Sequence, residues 1–112
     1  MTTSHLPENV QQLLARVLGS DGATSAPELR RAVYEHVAAL TRKDPALPAI
    51  PGELEKYVRK VALDAYKVLD REVDAIRQAG YGVDETFEIT VAASVAAGIE
   101  RMKIALAALE EA

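Results

Sequence analysis

Apolar residues recur every three to four positions along most of the chain, which is the period of α-helices with one buried face. The pattern predicts a first helix over 8–18, following Pro7, and a second that begins around the capping-box pair Ser25 and Glu28 and ends near Arg42. On the second helix, Arg30, Arg31, Glu35 and Arg42 are expected to face water. Its predicted buried stripe comprises Leu29, Ala32, Val33, His36, Val37 and Leu40.

Prolines at positions 45, 48 and 51 interrupt this pattern, because proline lacks the backbone N–H that a helix requires. The segment 43–52 is therefore predicted to be a stiff connector, with Leu47 and Ile50 tucked under the helices that it joins. A Pro-x-x-Pro pattern is also typical of SH3-domain ligands, and the sequence leaves that alternative open. Residues 1–6 are expected to be flexible.

Helical spacing resumes at Glu53 and predicts a third helix that breaks near Leu69 and restarts as a short fourth helix with Asp70 as its N-cap. The sequence 80–82 then predicts a turn, with Asp84 capping a last helix over 85–109. The fold class is thus predicted to be all-α: a single domain over 1–112, built as a small bundle of four to five helices with a long Ala-rich C-terminal helix.

The last helix has no charged residue between Ile89 and Ile99, so it is predicted to be buried on nearly every side. A helix of about 25 residues is about 37 Å long, whereas a compact domain of this size is about 34 Å across. We therefore expect a homo-oligomer, in which the Val91 to Leu106 stretch meets another subunit. The residues predicted to pack there are Val91, Val95, Gly98, Ile99, Met102 and Leu106.

Composition narrows the possible partners. The 112 residues are 49% hydrophobic but only 4% aromatic, so the core must be aliphatic. Acidic and basic residues are spread along the chain with a net charge of -4, and no basic block is present, so we expect no nucleic-acid partner. No apolar run reaches the roughly 20 residues that span a bilayer, and residues 1–6 do not resemble a signal peptide. We expect no membrane partner and a cytoplasmic location.

The chain contains no cysteine, which excludes disulfides, thiolate metal ligands and thiol peroxidase chemistry. Its two histidines, His5 and His36, are too few to anchor a typical zinc site. Neither a metal nor a cofactor is expected.

Three consecutive segments suggest a family. They are Ala65-Tyr66-Lys67-Val68, Ala75-Ile76-Arg77-Gln78-Ala79-Gly80, and the run from Asp84-Glu85-Thr86-Phe87-Glu88 to Ala93. The region from Val61 to Leu109 that contains them resembles the carboxymuconolactone decarboxylase and alkylhydroperoxidase-D-like superfamily. The resemblance implies a helical bundle that assembles as an oligomer. The family's Cys-x-x-Cys-x-x-x-His motif would fall on Ala65, Val68 and Glu72, so its redox site is not carried over.

Four residues are candidates for catalysis: His36 as a general base, Tyr66 and Lys67 in a proton-relay patch with Asp70, and Glu88 in the family's acidic turn. Each also has a structural interpretation. His36 could bond a backbone carbonyl, Lys67 could pair with Asp70, and Glu88 could interact with its own helix dipole. Tyr57 and Tyr66 are predicted to point to opposite faces.

The leading functional hypothesis is an oligomeric binding or accessory protein of the alkylhydroperoxidase-D-like type without peroxidase chemistry. The alternative is a cofactor-free small-molecule enzyme of the carboxymuconolactone-decarboxylase type. That alternative requires His36, Tyr66, Lys67 and Glu88 to converge on one cleft.

Overall fold

Helices make up every regular element in the part of the chain that the structure, a computed structural model, describes: residues 6–19 and 22–111. In chain order they are α1 (Glu8–Leu18), α2 (Pro27–Thr41), α3 (Gly52–Asp64), α4 (Asp70–Gln78) and α5 (Val83–Glu111), with a single 3-10 turn, Ala65–Lys67, after α3. The predicted all-α class, the bundle of four to five helices and the long C-terminal helix are confirmed. Among the described residues, no helix is both long and apolar enough to span a membrane.

The last helix is the centre of the bundle, since α1, α2, α3 and α4 all contact it, α2 most extensively. At 29 residues it is about 44 Å long, in a molecule whose longest dimension is 47 Å. The side of α5 that meets these helices carries small residues: Ala92, Ala93 and Ala96 are fully buried. Short side chains at the contact let the neighbouring backbones approach closely.

Large aliphatic side chains fill the space around this alanine surface. The fully buried ones are Val33, Val37, Leu54, Val58 and Ile89, from α2, α3 and α5. A smaller cluster joins Leu6 and Leu14 to Ile99 on the α1 side. The flexibility expected of 1–6 concerns mainly residues 1–5, which lie outside the described residues; Leu6 itself is buried.

The predicted break near Leu69 is confirmed, although the capping residue differs. Leu69 has an extended backbone and is itself the N-cap of α4, so Asp70 lies inside the helix and the prediction of Asp70 as cap is wrong. The Glu72 carboxylate accepts the Leu69 N–H at 2.9 Å and the Lys60 ammonium at 2.7 Å. These two bonds connect the start of α4 to α3.

The turn between α4 and α5 also has a different cap from the one predicted. Gly80 has a φ of 110°, a left-handed conformation that glycine adopts without strain. Asp84 lies within α5, so its predicted capping role is wrong; Glu85 instead accepts the Gly82 N–H at 3.1 Å.

Three further predictions fail in whole or in part. In the connector, Ile50 is buried as expected, but Leu47 is 39% exposed. On α5, one side remains open to solvent, so burial on nearly every side is wrong. Ile99, predicted at a subunit interface, is buried within its own chain.

We predict that Leu54→Ala, in the first turn of α3, lowers the free energy of unfolding by about 2–5 kcal/mol, because it leaves a cavity at a fully buried position. The matched control is Leu63→Ala on the same helix, where the side chain is 42% exposed and the loss should be below about 1 kcal/mol. Chemical denaturation followed by circular dichroism measures both. Equal losses would contradict the packing described for α3.

Candidate functional site

The most developed polar arrangement joins the first part of α5 to the segment that precedes α2. The Glu88 carboxylate accepts hydrogen bonds from the Thr24 N–H at 2.8 Å, from the Ser25 N–H at 2.7 Å and from the Ser25 hydroxyl. Ser25 therefore bonds Glu88 rather than forming the predicted capping box with Glu28, and the N-cap of α2 is Ala26, without a side-chain hydrogen bond. The Glu88 carboxylate thus holds the loop before α2 in place, although the two are more than 60 residues apart in sequence.

These contacts lower the pKa of the Glu88 carboxyl. Burial alone would raise the pKa of the Glu88 carboxyl, but the Ser25 hydroxyl, the Thr24 and Ser25 N–H groups and the nearby charge of Arg30 together hold that pKa below its ordinary value. The expected interaction of Glu88 with its own helix dipole is not the main contact, since Glu88 is the sixth residue of α5 and binds another segment.

Arg30 lies beside this arrangement. The prediction that it faces water is wrong. The residue is only 2% exposed, and its Nη1 group donates to the Val17 carbonyl in the last turn of α1 at 2.6 Å. Its Nε and Nη2 atoms are buried and have no hydrogen-bond partner among the described residues. The signal was present in the sequence, because Arg30 precedes the buried Val33 by three residues and so shares its helix face.

A cavity of about 230 Å³ opens next to these groups. Its walls come from the end of α1, the loop before α2, α2 itself and the first turns of α5, and are formed by Arg16, Val17, Gly22, Ala23, Arg30, Phe87, Glu88 and Val91. Charged and apolar side chains thus line one small space, which is the usual composition of a ligand pocket.

His36 has the structural role that the sequence offered as an alternative. The side chain is 7% exposed, and its Nδ1 donates to the Pro48 carbonyl at 2.7 Å, which connects α2 to the Pro-rich connector. A neighbouring cavity near the connector is lined by His36 together with Glu55, Lys56 and Arg59. Tyr66, Lys67 and Glu88 do not line it.

Tyr66 and Lys67 lie on the surface of the 3-10 turn. Tyr66 is 83% exposed, and the Lys67 ammonium lies over its ring, 5.5 Å from the ring centre. The expected Lys67–Asp70 ion pair is not among the ion pairs of the described residues. As predicted, Tyr57 and Tyr66 point to different environments: Tyr57 is buried and shares a 2.7 Å hydrogen bond with Thr90.

No cavity that we describe is lined by two of the four candidates His36, Tyr66, Lys67 and Glu88. The geometry therefore gives no support to a decarboxylase-type site built from them. Within residues 6–19 and 22–111, no three His, Asp or Glu side chains are grouped so that they could hold a metal ion.

Sequence reasoning also missed a buried acid on α5. Glu100 is 4% exposed and pairs with Arg42 at 2.9 Å and with Lys103 at 3.4 Å. Burial, followed by the Glu100 charge, raises the pKa of the half-buried Tyr34 hydroxyl nearby. Since both partners of Glu100 are cations on this same chain, the group is satisfied and serves the packing of α2 on α5.

Comparison with protein-family models, with curated proteins and with solved structures finds no match for this chain. The resemblance to the alkylhydroperoxidase-D-like superfamily therefore stays a prediction.

We predict that Glu88→Gln lowers the free energy of unfolding at neutral pH by about 1–3 kcal/mol, because charge-assisted hydrogen bonds to Thr24 and Ser25 are weakened. A carboxyl whose pKa is lowered by folding stabilises the fold above its unfolded pKa and loses that contribution as the pH falls through the folded value. The difference between wild type and variant should therefore shrink below about pH 4.5.

Denaturant titrations at several pH values measure this, with Glu28→Gln as the control. Glu28 is the exposed acid of the predicted capping box, and its replacement should change the unfolding free energy by no more than about 0.5 kcal/mol. A larger effect at Glu28 than at Glu88 would restore the capping box and contradict the observed contact.

Proposed function

We propose that this chain acts as a homodimeric binding or accessory protein that assembles through the solvent-facing side of α5. The observation that carries the proposal is a continuous uncharged strip on that side, which we call the α5 stripe. It consists of Phe87, Val91, Ser94, Gly98, Met102, Ala105 and Leu109.

The α5 stripe follows the helical period along 22 residue steps, from Phe87 to Leu109, and lies opposite the buried alanine surface of the same helix. Phe87 is 67% exposed and Leu109 is 71% exposed, whereas Val91 and Met102 are partly covered by their own chain. The large apolar side chains of Phe87 and Leu109 thus stand in water at the two ends of the stripe, with small or partly covered uncharged residues between them, which is typical of an interaction surface.

The residue spacing of the α5 stripe is symmetric about Gly98, which favours a second copy of this chain as the partner that binds it. Successive members are separated by four, three, four, four, three and four residues, so the spacing reads the same in both directions. In an antiparallel pair related by a twofold axis, Gly98 meets Gly98 of the second copy. Phe87 then faces Leu109, Val91 faces Ala105 and small Ser94 faces larger Met102.

Gly98 fits the crossing point of such a pair. It is exposed, and a methyl group added at its Cα would meet nothing within 4 Å in the single chain. Glycine weakens a helix interior by about 1 kcal/mol relative to alanine, and packing within this chain does not require it. A close approach by a second helix supplies a reason for it.

The stripe also sets the expected strength of association. It is about 33 Å long and about 10 Å wide, so the pair buries less than the roughly 800 Å² per partner of a standard stable interface. We therefore expect a reversible dimer whose population depends on protein concentration.

This proposal revises the predicted interface while keeping its location. Val91, Gly98 and Met102 belong to both versions, although Met102, like Val95, also packs against the α1 cluster of its own chain. Ile99 is a buried member of that cluster. The alkylhydroperoxidase-D-like arrangement and the cytoplasmic location remain part of the proposal. They are supported by the five-helix bundle with its long Ala-rich last helix and by the lack of a membrane-spanning helix among the described residues.

We predict that Gly98→Ala changes fold stability and self-association in opposite directions. The chain alone should become more stable by up to about 1 kcal/mol, because alanine favours the helix and its methyl group has room. The dissociation constant of the dimer should rise about tenfold or more, because the added methyl groups of the two copies clash where the helices cross. Sedimentation velocity over a wide concentration range, with thermal unfolding of the dilute protein, measures both.

A matched pair of charged variants locates the interface. Leu109→Glu lies in the stripe and should abolish association, whereas Ile104→Glu, at a residue 53% exposed on another side of α5, should leave it intact. If the wild-type protein stays monomeric at the highest concentration in the sedimentation experiment, the proposal is wrong. Equal loss of association in both variants would move the interface away from the α5 stripe.

A further inference from the structure

Arg30 is the least satisfied polar group in the described residues. A guanidinium carries five N–H bonds and stays charged at all accessible pH values. The one hydrogen bond to Val17 leaves the three N–H bonds of Nε and Nη2 without a partner, although both atoms are buried. Burying such donors without a partner costs free energy, because they lose their hydrogen bonds to water. An acceptor would remove this cost, and the described side chains do not provide one.

Arg30 lines the cavity described above, so an acceptor bound in that cavity lies next to its side chain. Glu88 lies in the same wall, but its carboxylate already accepts the N–H groups of Thr24 and Ser25 and the Ser25 hydroxyl. Glu88 therefore contributes its charge to the cavity while its oxygen atoms are engaged elsewhere.

Charge and wall chemistry define what fits. Two arginines, Arg16 and Arg30, against one carboxylate, Glu88, leave the lining with a net charge of +1, which suits a singly charged anion better than a dianion. The remaining wall includes Val17, Phe87 and Val91, which offer contact to an apolar body. The 230 Å³ volume corresponds to about eight water molecules at roughly 30 Å³ each, so the ligand is small.

We infer that this cavity binds a small monocarboxylate with an apolar body, whose carboxylate accepts hydrogen bonds from the free N–H groups of Arg30 and whose body packs against Phe87 and Val91. A guanidinium matches a carboxylate in shape and can donate to both of its oxygens. The inference goes beyond the proposed function and rests on Arg30 and the cavity that it lines, so it does not require the dimer.

Benzoate is the probe, because it has one carboxylate, a flat apolar body and a size close to the cavity. Isothermal titration of the full chain should give a dissociation constant in the roughly millimolar range or tighter. In NMR spectra the largest shifts should fall on Val17, Phe87 and Val91. Benzyl alcohol, which keeps the ring and lacks the charge, should bind at least about tenfold more weakly.

Arg30→Lys should weaken benzoate binding by about tenfold or more, since lysine offers a point charge in place of the planar donors. Arg31→Lys, at the exposed neighbouring arginine, should leave binding unchanged. If Arg30→Lys does not fold, Arg16→Gln still tests the charge requirement and should weaken benzoate binding. Sedimentation of the same samples separates loss of ligand from loss of the dimer.

Three outcomes would overturn the inference. Equal binding of benzyl alcohol and benzoate would reduce the site to an apolar hole, and equal binding of inorganic phosphate would make it a general anion site. No benzoate binding at ten millimolar would leave Arg30 as a purely structural group.

Asp21 provides one more control, because it lies outside the described residues and adjoins Gly22 of the cavity wall in sequence. If Asp21 were the missing partner of Arg30, Asp21→Asn would destabilise the fold, and benzoate would bind the variant but not the wild-type chain. Such a result would assign the acceptor to the chain itself and contradict a ligand site. Unchanged stability and affinity would support the ligand.

Discussion

The bundle depends on the close contact between the alanine surface of α5 and the aliphatic side chains of α2 and α3. Ala92, Ala93 and Ala96 are fully buried, and they face the fully buried layer that includes Val33, Val37, Leu54 and Val58. Small residues on one side and branched or long ones on the other fill the space without aromatic rings. This explains how a chain with a single Phe and no Trp builds a continuous core.

Three charged residues, Arg30, Glu88 and Glu100, connect the helices of the bundle. Apolar packing alone would not specify how α1 and α2 are positioned along α5. Glu88 holds the loop before α2, Arg30 binds the end of α1, and Glu100 pairs with Arg42 of α2. Each contact joins segments far apart in sequence and requires desolvating a charge. The gain is therefore in the positioning of α1 and α2 on α5 more than in net stability.

Much of the fold could be predicted from periodicity, because helix ends depend on local residues. The bounds of α1 and the break before α4 followed from apolar spacing and turn residues. The contacts of the charged groups could not be predicted in the same way. Arg30 and Glu100 both lie at helical spacing from buried residues, three before Val33 and three after Ala97, but their residue type argued for exposure.

Capping errors have the same origin. Ser25 and Glu28 have capping-box spacing, yet the Ser25 hydroxyl binds Glu88, which reaches it from a helix more than 60 positions away. A local motif predicts a hydrogen bond to a nearby residue. A charged carboxylate from a distant segment is a stronger hydrogen-bond acceptor, and a bond to it can replace the local one. Glu88 was a candidate from the sequence, but its partner Ser25 and the neighbouring Arg30 were missed for this reason, since the contacts that define the site are between segments.

The two proposals meet at Phe87 and Val91, which lie in the α5 stripe and also line the Arg30 cavity. In the antiparallel pair, Leu109 of the second copy lies against Phe87 and so covers the apolar wall of the cavity. A ligand that packs on this wall alters the surface the second copy meets, and the second copy alters the space available to the ligand. Linkage makes that influence reciprocal, so any change in dimer affinity caused by the ligand equals the change in ligand affinity caused by dimerisation.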